Sequence, residues 1–169
     1  MVIAEGLELG NPRLFGASWA SYGDLNFRNV RVTAQMKFLR PFVDDPPNTV
    51  AWMGVGLRAS HYYARYSHLV YLRRDGQLRR TEFLPSGDKV PDDPIILSLP
   101  AATSVENTLI ELSAEMRENV LSIGLSVDSS PLPPIPPIQI ENYVFSRGRV
   151  LIQAYRCRVL LRSILVEEL

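Results

Sequence analysis

The sequence predicts an all-β domain, a sandwich or barrel built from about ten or more short antiparallel strands. Three observations carry this. Apolar residues alternate with polar ones at period two along most of the chain, while the 3.6-residue period of an amphipathic helix is nearly absent. Turn residues punctuate that alternation, with 13 prolines beside 10 glycines in a chain that is 46% hydrophobic. The length, 169 residues, suits one domain spanning 1–169, able to bury roughly 70% of its unfolded surface without a disulfide or metal to brace it.

Residues 1–13 read as a lead-in to the domain. Val32-Thr-Ala-Gln-Met-Lys-Phe38 then puts Val32, Ala34, Met36 and Phe38 on one face, and Pro41 ends the strand. Val50 to Leu57 is mostly apolar, as a central strand covered on both faces should be. Leu69 to Arg74 and Gln77 to Phe83 flank Asp75-Gly76, a pair that favours a type I′ hairpin with positive φ at both residues. Ile110, Leu112, Ala114 and Met116 alternate with Glu111, Ser113, Glu115 and Arg117. After Glu118-Asn119, Leu121, Ile123, Leu125 and Val127 resume the pattern. A helix over 105–120 would set Ile110 and Leu112 on mismatched faces, so periodicity favours the hairpin. Pro131 to Pro137 holds five of the 13 prolines and should run as polyproline II. It is expected to be a stiff crossover, 129–138, rather than a ligand for an SH3 domain, because no basic residue closely flanks it. Arg149 to Tyr155 and Arg158 to Val166 are the closing strands.

Composition excludes several classes of function. Eighteen basic residues balance 18 acidic ones, without the basic footprint of a nucleic-acid binder. One cysteine, Cys157, rules out an intrachain disulfide and any multi-cysteine zinc site. No run approaches the roughly 18 apolar residues of a membrane helix. The first residues lack the basic and apolar regions of a secretory signal. A cytoplasmic location is the literal expectation, and secretion the alternative if the chain is a processed piece.

At this point the strands resemble a known family. Phe27 to Phe38 is similar to the opening strand of concanavalin A-like jelly rolls, and Met53 to Arg58 and His68 to Gly76 resemble the next ones. Gly148 to Tyr155 followed by Val159 to Leu169 is similar to the terminal strands of the laminin-G-like and 3-keto-disaccharide-hydrolase-like branch. The resemblance spans about residues 14–169 and is one of strands and turns, so it speaks to fold before function. It implies a two-sheet antiparallel β-sandwich, with sugar commonly bound on the concave face or at its rim loops. Some members hydrolyse glycosides, and others only bind glycans or proteins.

The laminarinase-type members carry a Glu-x-Asp-x-x-Glu strand, which is absent here. Glu111 and Glu115 share a strand face, but their Cα atoms should stand about 13 Å apart, beyond the roughly 5–9.5 Å between glycosidase carboxyl groups. The most site-like segment is 58–68. It gathers three tyrosines, two histidines and two arginines between predicted core strands, and sugars offer C–H faces to aromatic rings and hydroxyls to Arg, His and Tyr. Candidate ligand contacts are therefore Arg58, His61, Tyr62, Tyr63, Tyr66 and His68, with Arg73 on the adjoining hairpin.

Arg73, Arg74, Arg79 and Arg80 bracket that hairpin. They are read as a charged edge that keeps the sheet from pairing with another chain, or as a ribbon for phosphate, sulfate or an acidic glycan. No cofactor is expected. His61 and His68 lack a zinc spacing, and Asp44-Asp45 and Asp92-Asp93, the only calcium candidates, abut prolines and are explained as turns. Trp19 and Trp52 fall in apolar patterns and are expected in the core or a groove floor. The reading is a non-catalytic carbohydrate-binding module with a saccharide as partner. The alternatives are a glycoside hydrolase-like enzyme and a protein–protein interaction or self-association module.

Overall fold

A computed structural model describes residues 2–10, 17–41, 51–60, 67–84, 86–101, 103–141 and 145–169. These form thirteen strands and, among the described residues, no helix. In chain order they are β1 Val2–Leu9, β2 Ala17–Phe27, β3 Val30–Pro41, β4 Trp52–Ala59, β5 His68–Arg73, β6 Gln77–Arg80 and β7 Ile95–Ser98. They continue with β8 Leu109–Arg117, β9 Val120–Val127, β10 Ser130–Pro131, β11 Ile138–Gln139, β12 Gly148–Tyr155 and β13 Cys157–Glu168. One sheet has seven strands in the order β1-β13-β3-β8-β9-β10, with β11 also on β9. The other has six, β2-β12-β4-β5-β6-β7. Every ladder between neighbouring strands is antiparallel.

The period-two pattern decides which side chains meet. In β3, Val30, Val32, Ala34, Met36 and Phe38 are fully buried while their neighbours are partly exposed. β8 repeats this with Ile110, Leu112, Ala114 and Met116. They share one core with Met53, Val55, Leu57, Val70, Leu72, Val150 and Ile152 from the six-stranded sheet. Each Val, Leu, Ile, Met or Phe side chain among them contributes roughly 1.5–3 kcal/mol of hydrophobic stabilisation. Glu111 and Glu115 lie together on the outer face of the seven-stranded sheet. Glu115 is paired with Arg31 at 2.6 Å, and Glu111 accepts a bond from Gln35 at 2.9 Å.

Three local details differ from the sequence reading. Residues 2–9 are not a lead-in but strand β1, laid along β13 in a register that shifts between Val2 and Glu5. Gly6 at φ +70 and this irregularity blunt the alternation that would have exposed it. At the Asp75-Gly76 hairpin only Gly76 has positive φ, +81, and its N–H donates to the Arg73 carbonyl at 3.0 Å. That is a turn over 73–76 closed by a left-handed glycine, a longer loop than type I′. The proline segment stays with one sheet. Pro131 pairs with Ser126 and Ile138 with Leu121, so it straps the β9 edge, and the chain changes sheets after it. That strap covers an edge that would otherwise offer unpaired backbone groups.

A type I′ turn does occur, at Asp128-Ser129 between β9 and β10, with φ +46 and +66. A left-handed serine costs roughly 1 kcal/mol that glycine does not. Ser129→Gly should therefore raise the unfolding free energy by about 1 kcal/mol, read as a higher urea midpoint at unchanged m-value, and Ser129→Val should lower that midpoint.

Candidate functional site

The outer face of the six-stranded sheet carries three rows of side chains, read directly from the strand register. Tyr155, Trp52 and Arg73 form one. Trp19, Gln153, Gly54, Tyr71 and Arg79 form the next, and Ser21, Leu151, Gly56 and Leu69 a third. β4 is buried along its whole length because the outer rows cover it on this side as the core does on the other. Its glycines permit close approach: a side-chain carbon at Gly54 would collide with the Val70 carbonyl and Tyr71, and one at Gly56 with Ser67.

Over these rows lies a groove of about 460 Å³. Its floor is aromatic. Trp52 stacks on Tyr155 with ring centroids 5.5 Å apart and meets Tyr71 at 5.0 Å, with Leu69 beside them. Arg73 and Arg79 stand on the sheet beside it, and the loop after β6 supplies Lys89, Asp92 and Asp93. Asp93 fastens that loop to the sheet. Its carboxylate accepts a 2.8 Å bond from the Tyr71 hydroxyl and pairs with Lys89 at 2.9 Å, while its carbonyl accepts from Arg79 at 3.0 Å. Burial pushes the Tyr71 phenol above its ordinary range, helped by the hydrogen bond and charge of Asp93 and opposed by Arg79 and Arg73. Buried polar atoms without partners gather on this face: the second Asp93 oxygen, the Arg73 Nε, and both amide atoms of the fully buried Gln153. Each such group costs roughly 1–3 kcal/mol unless something satisfies it.

The residues singled out from sequence are distributed unevenly. Arg73 lines the groove, with one terminal nitrogen 3.0 Å from Asp75. Arg58 is not at the surface. Between the Arg149–Ala59 and Leu151–Gly56 pairs the register slips, Arg58 takes φ +53, and its side chain enters the protein fully buried. There its Nε donates to the Arg28 carbonyl and a terminal nitrogen to the Glu118 carbonyl, each at 2.6 Å. His68 is paired with Leu57 and is 4% exposed, edge-on to Phe83 and Phe145. It lines a separate cavity of about 250 Å³ with Arg80, Glu82 and Glu141. His61, Tyr62, Tyr63 and Tyr66 lie outside the described residues, as do Asp44 and Asp45. Among the described residues no group of three or more His, Cys, Asp or Glu side chains is placed to hold a metal ion.

The hairpin arginines divide rather than form one ribbon. Arg74 pairs with Glu106, Arg80 with Glu82, and Arg79 turns onto the groove. Trp52 is 8% exposed in the groove floor, and Trp19, at 39%, sits on the edge strand β2. Tyr71 and Tyr155 were missed from sequence, while Arg79 was read only with the hairpin arginines and Asp93 only as a turn. Tyr71 and Tyr155 could have been found, since both alternate with core residues and so must face outward.

No protein-family model and no curated protein sequence matches the chain. Solved structures do. The exoplasmic/lumenal domain of VIP36 in its Ca2+/Man3GlcNAc-bound form aligns with a TM-score of 0.64 at 8% identity, covering 99% of this chain and 81% of that one. Peanut lectin with a 9mer peptide gives 0.52 at 13% identity, covering 96% and 86%. Sheep galectin-11 in complex with glycerol gives 0.51 at 11%, covering 98% and 99%. The chain has the concanavalin A-like jelly-roll fold. At these identities the likeness is one of fold, and it does not single out a branch of the superfamily.

Burial pushes the His68 imidazole down to about 4, against a weaker opposing bond to the Phe145 carbonyl. The unfolded chain then binds the extra proton first. His68 should contribute full stability above about pH 6.5, lost as pH falls toward 4 and amounting to about 3 kcal/mol. Urea midpoints measured across that window should drop more steeply for the natural protein than for His68→Gln. Parallel curves would contradict the assignment.

Proposed function

We propose that the protein binds a saccharide without cleaving it, in the groove on the outer face of the six-stranded sheet. The observation that carries this is the stacked Trp52–Tyr155 pair, continued by Tyr71, with the polar side chains of Arg73, Arg79 and Lys89 lining the same groove. A pyranose ring has an apolar C–H face for such a floor and hydroxyls that both donate and accept. The lectins among the fold neighbours support the reading at the level of fold.

The engagement of Asp93 supports binding over hydrolysis. Asp93 is already held by Lys89 and the Tyr71 hydroxyl, so it is not free to trade a proton with a substrate. His61, Tyr62, Tyr63 and Tyr66 enter the proposal as further contacts through their chemistry alone.

A glycan array followed by calorimetric titration of its hits tests this. Tyr155→Ala should weaken binding about tenfold, or about 1.4 kcal/mol, while the melting temperature shows the variant folded. The double variant Tyr62→Ala, Tyr66→Ala reports separately on the loop. An array without a single hit, or hits indifferent to Tyr155→Ala, would refute binding at the groove.

A further inference from the structure

We propose that the groove selects saccharides carrying a carboxylate, with Arg79 and Arg73 as the pair that receives it. This deepens, and rests on, the saccharide-binding reading above. It starts from the charges around the floor. Lys89 and Asp93 neutralise one another at 2.9 Å. Arg73 has Asp75 at 3.0 Å, yet this engages one terminal nitrogen and leaves its Nε buried and unpartnered.

Arg79 is different. Its Nε and one terminal nitrogen donate to the Gln77 amide oxygen at 2.9 and 2.6 Å, and its other terminal nitrogen to the Asp93 carbonyl at 3.0 Å. All of these acceptors are neutral. The guanidinium is thus oriented by three bonds while its charge has no carboxylate opposite it among those bonds. A cation held in a groove wall by neutral acceptors is pre-organised for an anion, and the planar fork of arginine suits a carboxylate.

The two arginines converge. Arg79 lies directly across the ladder from Tyr71, and Arg73 lies two residues along the same strand as Tyr71, on the same face. Both line the same groove. A uronate residue has the required set: a C–H face for Trp52 and Tyr155 and a carboxylate for the arginines.

Titration calorimetry with oligomers of galacturonate, glucuronate and mannuronate, each beside its carboxyl-reduced neutral counterpart, tests the inference. At least one uronate should bind ten or more times tighter than its reduced form. That preference should shrink to within about threefold in Arg79→Gln, persist in part in Arg79→Lys, and weaken as salt is raised from 50 to 500 mM. A reduced form that binds as well as its uronate, or an Arg79→Gln variant that loses both equally, would overturn it. If neutral glycans bind the groove but no uronate does, the carboxylate inference falls and saccharide binding stands. If no saccharide binds at all, both fall.

Discussion

A single buried guanidinium fastens one end of the sandwich. Arg58 leaves the six-stranded sheet at a bulge, passes inward, and donates to the carbonyls of Arg28 and Glu118, which belong to the turns before β3 and after β8. The Glu118 N–H in turn donates to the Asn29 side chain at 2.8 Å, so the two turns and the sheet opposite are knotted together. A charge this deep needs hydrogen-bond partners, and these two backbone carbonyls are among them. The register of β4 against β12, and with it the rows of the outer face, depends on the bulge that lets Arg58 turn inward.

From that register follows the site. Because β4 is central and tightly approached at Gly54 and Gly56, its outer face needs covering. Trp52, Tyr71 and Tyr155 cover it with rings instead of aliphatic chains. The loop after β6 is drawn over the rings by Asp93. Sheet and loop meet in that residue, which accepts from Tyr71 and pairs with Lys89 through one carboxylate oxygen and leaves the other without a partner. The core beneath is conventional in its chemistry, apolar side chains interleaved from two sheets. Its rigidity lets a groove of loops and rings keep its shape.

Much of this architecture is legible in the residues. The alternation of Val32 to Phe38, and of Ile110 to Met116 and Leu121 to Val127, favours two-faced strands over a helix, and the structure has them so. The apolar run of β4 announced a strand covered on both sides. What could not be read were features without periodicity. β1 is interrupted by a bulge and a left-handed glycine. The fate of Arg58 turned on one residue of register slip, which no local pattern encodes. Asp92-Asp93 looked like a turn, and only long-range contact with Tyr71, 22 residues away, makes Asp93 part of a site. Of the dense cluster at 58–68, Arg58 and His68 are buried away from the groove, which is assembled from alternate residues of four strands and one loop.

The proposed saccharide site is the ring-lined outer face of the six-stranded sheet. A two-dimensional NMR titration of the labelled protein with the tightest glycan found tests it. Binding there should give saturable shifts at the Trp52 indole and the backbone amides of Tyr71, Arg79 and Asp93, with the outer face of the seven-stranded sheet around Thr33 and Ser113 unmoved. Shifts confined to that other face, or to the His68 cavity with the Trp52 indole still, would contradict it.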